Sequence, residues 1–119
     1  MSAKLPARSL GQLGNLKRLE RLGLFAIAGL DDSNADFLTK LRKLKELELD
    51  RNPGISDSSV ELLVKLPELE ELGLWGCNIT EASTDAFMKM KKLRELSVAE
   101  TGYSRAAEKR LMKAVASRK

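Results

Sequence analysis

The motif Leu-x-x-Leu-x-x-Leu-x-Leu recurs through this chain at nearly constant spacing. It occupies Leu16-Leu19-Leu22-Leu24, Leu41-Leu44-Leu47-Leu49 and Leu66-Leu69-Leu72-Leu74, and a fourth copy, Met90-Leu93-Leu96-Val98, carries conservative replacements. The copies begin 25, 25 and 24 residues apart. A fixed period of that length marks a solenoid, because each unit is too small to bury its own apolar face and must stack on a neighbour. The pattern constrains architecture far more than function. Solenoids present surfaces, and a surface binds more readily than it catalyses.

The stretches between the copies also align. Leu30-Asp31-Asp32, Ile55-Ser56-Asp57, Ile79-Thr80-Glu81 and Tyr103-Ser104-Arg105 share one phase, and the apolar pairs Phe37/Leu38, Leu62/Leu63, Phe87/Met88 and Leu111/Met112 follow. Ser56, Thr80 and Ser104 are suited to cap helices, since a hydroxyl can accept an orphan N–H of the first turn. Asp57 and Glu81 then fall in that turn, where negative charge is favoured, and Lys40, Lys65 and Lys89 fall near the opposite ends. Strands alternating with helices predict a parallel sheet with helices on its outer face.

These residues resemble a leucine-rich repeat protein over residues 16 to about 116. The resemblance implies an α/β solenoid: a short right-handed arc of about four strand-loop-helix repeats with a parallel sheet on its concave face. It also implies an inward Asn, Cys or Thr three residues after each strand motif, bonded to loop backbone. Asn52, Cys77 and Thr101 fit, whereas Ile27 departs and predicts a different first loop. Cys77 and the Ile-Ser/Thr-Asp/Glu phrase are most similar to the cysteine-containing, ribonuclease-inhibitor-like branch, whose return segments are α-helices.

The expected organisation is one domain over residues 1–119, with repeats 16–40, 41–65, 66–89 and 90–119, the last ending in a capping helix. Residues 1–15 read as a partial repeat or N-terminal cap, since Leu5, Leu10 and Leu13 align with Leu30, Ala35 and Leu38. The alternative, a mitochondrial transit segment, rests on Lys4, Arg8, Lys17 and Arg18 without an acid among residues 1–19. One cysteine permits no internal disulfide, and secreted members of the family usually carry cysteine-rich caps; the expectation is intracellular, cytoplasmic before mitochondrial. No apolar run approaches the roughly 20 residues of a membrane span.

Catalysis is not expected. Histidine is absent, which removes the commonest general base and metal ligand. A single cysteine cannot build a zinc cluster. Gly11 and Gly14 belong to no phosphate loop, lacking the Gly-Lys-Ser/Thr ending. The inner carboxylates are expected on an open, wet surface with no pocket to shift their pKa values. No cofactor is implied.

Side chains alternate along a strand. With the paired leucines inward, the concave face reads as columns across the repeats: Arg21, Glu46, Glu71, Glu95; then Gly23, Glu48, Gly73, Ser97; then Phe25, Asp50, Trp75, Ala99; and beyond them Ala26, Arg51, Gly76, Glu100. That face is acidic although the chain carries net charge +4. The basic excess lies at the ends: residues 101–119 hold six basic residues against Glu108 alone. The candidate partner-binding residues are Phe25, Glu46, Glu48, Asp50, Glu71, Trp75 and Glu95. Trp75 and Phe25 would anchor, with Asp50 between them suited to a partner's Lys or Arg through ion pairing and cation–π contact. Alternatively, Trp75 lies flat over Gly73 and shields its own sheet. Cys77 reads as a buried small hydrophobe rather than a reactive thiol.

The expected partner is a protein with a basic or mixed-charge surface. Two alternatives remain: assembly, including homodimerisation, through a bare sheet edge near Leu22, and nucleic-acid or anionic contact through the basic ends. In the final helix Ala107, Leu111, Ala114 and Val115 recur at helical spacing and should face the core, leaving Arg105, Lys109, Arg110 and Lys113 to solvent, with Arg118 and Lys119 in the tail.

Overall fold

Each Leu-x-Leu motif forms a three-residue strand, short because the chain must turn once per repeat to bring the next leucine pair into the same layer. In the computed structural model, residues 3–4 and 7–117 are described, side chains from Ser9 onward. The elements are β1 (Ala3–Lys4), α1 (Ala7–Leu13), β2 (Arg21–Gly23), β3 (Ile27–Ala28), a 3-10 helix (Ala35–Lys40), β4 (Glu46–Glu48), α2 (Asp57–Leu63), β5 (Glu71–Gly73), a 3-10 turn (Glu81–Ser83) leading into α3 (Thr84–Lys89), β6 (Glu95–Ser97) and α4 (Arg105–Ala116). Among the described residues, β2, β4, β5 and β6 form a four-stranded parallel sheet in that order. Its register sets Leu22 against Leu47, Leu47 against Leu72 and Leu72 against Leu96.

The second to fourth layers bury their motif residues almost completely, whereas in the first Leu19 and Leu22 are only partly buried. Leu41, Leu44, Leu47, Leu49, Leu74 and Leu93 are all 0% exposed. Burying one such side chain stabilises by roughly 1.5–3 kcal/mol, and hydrophobic stacking of neighbouring repeats is the main cohesive term. At the N-terminal end α1 packs on the first 3-10 helix and buries Leu10. Leu5 and the tail residues Arg118 and Lys119 lie outside the described residues. At the other end α4 packs on β6, burying Ala107, Leu111 and Val115 while Arg105, Lys109, Arg110 and Lys113 remain exposed.

The loop positions follow the expected chemistry. Asn52 is fully buried; its amide donates to the carbonyls of Leu24 (2.6 Å) and Leu49 (2.7 Å) and accepts from the Ile27 N–H (2.8 Å). Cys77 Sγ donates to the Leu49 carbonyl at 3.0 Å, and burial pushes its pKa up to about 11, so it is an inert thiol. Thr101 donates to the Val98 carbonyl. At Ile27 the loop differs, as its sequence implies: Ile27–Ala28 pairs in parallel with Ala3–Lys4 as a separate two-stranded sheet.

Ser56, Thr80 and Ser104 each accept a first-turn N–H, from Ser58, Ala82 and Ala107 respectively. One return segment departs from the helical expectation. Residues Ala35–Lys40 form a 3-10 helix, and Asn34 before it makes no cap. Its side chain is spent on its own loop, donating to the Gly29 carbonyl (2.6 Å) and accepting from the Asp31 N–H (2.9 Å).

An unforeseen set of acids ties the return segments together. The Asp32 carboxylate accepts the Ser56 N–H (2.9 Å) and the hydroxyls of Ser56 and Ser59. One repeat on, Asp57 accepts the Thr80 N–H (2.9 Å), the Thr80 hydroxyl (2.7 Å) and the Ser83 hydroxyl. Glu81 continues the series with the Ser104 N–H at 3.3 Å. Burial raises the pKa of Asp32 and Asp57, but these hydrogen bonds outweigh it and hold both below the usual value of 3.8.

Candidate functional site

With the paired strand leucines facing inward, the intervening side chains fall into straight columns on the concave face. Arg21, Glu46, Glu71 and Glu95 are register partners across the sheet, and so are Gly23, Glu48, Gly73 and Ser97. Beyond the strands the register persists, since Ala26 N–H donates to Asp50, Arg51 N–H to Trp75 and Gly76 N–H to Ala99. Phe25, Asp50, Trp75 and Ala99 therefore form a third column.

The first column is a stack of three carboxyls with an arginine at one end. Arg21 pairs with Glu46 at 3.0 Å. Glu71 lies between Glu46 and Glu95, and its hydrogen bonds to both carboxyls favour the protonated form. Desolvation and the two negative neighbours act in the same direction, and its pKa is pushed up to about 7. Glu71 therefore resists ionisation towards neutral pH.

The surface is also less open than the sequence suggests. A groove of about 440 Å³ runs over the face, floored by Glu46, Glu48, Asp50, Glu71 and Glu95 and walled by Met112 and Ala116 of α4. The expectation of an open face without a pocket or shifted pKa is thus corrected. The groove exists because α4 is the longest return segment and covers the end of the sheet beside β6. Met112, 43% exposed and outside the core-facing set expected of this helix, lines the groove. Helical spacing alone carries the signal: one step beyond the buried Leu111 lies the edge of that helix's apolar face.

At the far end of the columns the aromatics meet an arginine of this same chain. The Arg51 guanidinium lies 4.2 Å from the Trp75 ring centroid and 5.8 Å from that of Phe25. Asp50 does not stand free between the rings: its Oδ1 accepts the Trp75 backbone N–H at 2.8 Å. The Asp50 contact depends on glycine. A Cβ at Gly73 would meet Asp50 Oδ1 at 2.9 Å, and one at Gly76 would lie 3.5 Å from Arg51 Cγ. Gly73 thus makes room for Asp50, whereas the Gly76 distance is ordinary contact and glycine there suits the positive φ of 74°. Trp75 lies half-buried under Arg51. Phe25 is 43% exposed. The fourth column, Ala26, Arg51, Gly76 and Glu100, is left-handed in every repeat, with φ of 51°, 62°, 74° and 58°. Only Gly76 announces this in the sequence.

The seven candidate residues do share one face. The structure divides them into a carboxyl row beside α4 (Glu46, Glu71, Glu95), a middle pair (Glu48, Asp50) and an aromatic end (Phe25, Trp75) already occupied by a cation.

Among solved structures the chain is similar to the tropomodulin C-terminal domain of Caenorhabditis elegans, at 12% identity and a TM-score of 0.67, over 96% of this chain and 93% of that one. It is also similar to an internalin of Listeria monocytogenes, at 17% identity and a TM-score of 0.53, over 86% of this chain but only 35% of the internalin. No protein-family model and no curated protein matches the sequence. At such identities the likeness concerns the fold, which is leucine-rich-repeat-like.

Proposed function

We propose that this protein is a non-enzymatic interaction module whose concave face binds a protein partner with a basic or mixed-charge surface. The observation that carries this reading is the groove floored by Glu46, Glu48, Asp50, Glu71 and Glu95 in a chain of net charge +4. A local potential opposite to the net charge selects among partners and steers their approach. The apolar side chain of Met112 beside the carboxyls suits the aliphatic stem of a Lys or Arg. Within the leucine-rich repeat proteins, the inward Cys77 and the helical returns favour the ribonuclease-inhibitor-like branch.

The test is capture from source lysate at low and high salt, comparing wild type with Glu48→Lys/Glu95→Lys, two exposed side chains, once circular dichroism shows that the variant folds. Loss of the captured protein in the variant and at high salt supports the reading. Equal retention by both proteins rejects it.

A second reading, assembly through the sheet edge, is favoured by β2. It pairs only with β4 among the described residues, and Leu16 beside it is 49% exposed. An unpaired edge can take another strand. Light scattering that shows a strict monomer at high concentration argues against it. No helix among the described residues is long and apolar enough to cross a membrane.

A further inference from the structure

Arg51 sits where the aromatic end of the concave face would otherwise receive a partner's cation. Its left-handed backbone, φ 62°, turns the side chain back across Gly76 and onto the Trp75 ring. Phe25 flanks it from the preceding repeat. The residue is exposed, and among the described residues no carboxylate forms an ion pair with it; the four ion pairs belong to Arg21, Lys45, Lys92 and Arg94. Its nearest acid in sequence, Asp50, commits one oxygen to the Trp75 N–H.

We propose that Arg51 determines the specificity of the concave face by receiving a carboxylate of the partner, so that the bound segment carries both charges rather than basic residues alone. The inference rests on the concave face being the partner-binding surface. Contact with an aromatic ring uses a face of the guanidinium and leaves its in-plane N–H donors free. A carboxylate accepts two of these in the same plane, so ring contact and ion pairing are compatible. The rings also restrict the side chain before the partner arrives, which lowers the ordering cost of binding. Trp and Arg are the residue types that most often dominate interface energetics. Carboxylate fits better than phosphate here. Glu48, Asp50, Glu71 and Glu95 repel an approaching dianion, and a chain of phosphates would meet that repulsion along the whole groove.

The spacing of the partner's charges follows from the strands. Glu71 and Trp75 are four residues apart, or roughly 13 Å at the usual rise per residue. A basic residue over the carboxyl row and an acidic residue at Arg51 are therefore separated by about four residues of extended chain.

The test pans a displayed library of short random peptides against wild type, and titrates recovered peptides by the fluorescence of Trp75, the one tryptophan. The expected peptides carry Lys or Arg about four residues from Asp or Glu. Arg51→Gln should weaken their binding about tenfold, as should Asp→Asn or Glu→Gln in the peptide. The two changes together should cost little more than either alone, because they remove one interaction. The sign decides the matter: on a face that only attracts cations, Arg51→Gln strengthens binding, and that result overturns the proposal. So do recovered peptides that are basic without an acid, although these leave the concave-face reading intact. Peptides that need Arg51 but bind Glu48→Lys/Glu95→Lys unchanged overturn the basic-partner reading instead. Failure to enrich any peptide over that charge-reversed variant rejects both. The peptide-side replacements keep the test valid even if Arg51→Gln does not fold.

Discussion

Asn52 shows how much of a repeat can depend on one side chain. It satisfies two carbonyls and one N–H from three places in the loop layer while fully buried. Asn52→Ala leaves those groups without partners, and each unsatisfied buried group costs about 1–3 kcal/mol. The expected loss is roughly 2–4 kcal/mol in urea unfolding, against about 1 kcal/mol for Cys77→Ala, whose thiol makes one weak bond. Equal losses would contradict the assignment. Gly73 tests the site at the same scale. Gly73→Ala places a Cβ 2.9 Å from Asp50 Oδ1. It should displace that carboxylate from the Trp75 N–H, with about 1 kcal/mol of destabilisation and a shift in Trp75 emission. An unchanged spectrum would mean that Asp50 does not position the Trp75 backbone.

At the scale of elements, successive return segments are joined by acids as well as by buried apolar side chains. Asp57→Ala removes three hydrogen bonds to Thr80 and Ser83, so a loss of about 2 kcal/mol is expected. A double-mutant cycle with Ser83→Ala should show coupling, whereas Asp57→Ala with Ser59→Ala should be additive, since Ser59 bonds Asp32 instead. The strand positions, the caps Ser56, Thr80 and Ser104, and the columns of the concave face were all legible from periodicity, because buried leucine leaves little choice of register. The acid links were not. They join residues 23 to 27 apart, and nothing local marks Asp32 or Asp57 as more than a first-turn charge. Nor was the seat of Arg51 legible: a left-handed backbone at a non-glycine residue and a ring contact across repeats leave no periodic trace. The Ala35–Lys40 segment is a milder case, where Asn34 resembles a cap but its amide serves Gly29 and Asp31.

At the scale of the molecule, two sets of carboxyls act on stability with opposite sign. Asp32 and Asp57 titrate below 3.8 in the folded chain, so their contribution is present above that value and is lost as pH falls through their lowered folded pKa values. Glu71 is displaced upward, from 4.5 to about 7. Its contribution is complete below 4.5 and is lost as pH rises through 7, where the ionised row repels itself. The melting temperature should therefore peak near pH 4–5 and decline towards pH 8 in low salt. Glu71→Gln, neutral throughout, should remove the decline above pH 5 and leave the acid limb unchanged. Thermal unfolding from pH 3 to 8 measures both; a wild-type curve that climbs from pH 5 to 7.5, matched by the variant, would contradict the raised pKa of Glu71. The form that weakens the fold is also the form that attracts a cation. A partner's Lys or Arg over Glu46, Glu71 and Glu95 would relieve the repulsion, and its affinity should rise across the same interval in which the free protein loses stability. If the concave face binds as proposed, such a trade between stability and charge would account for three carboxyls placed side by side on a solenoid that could have separated them.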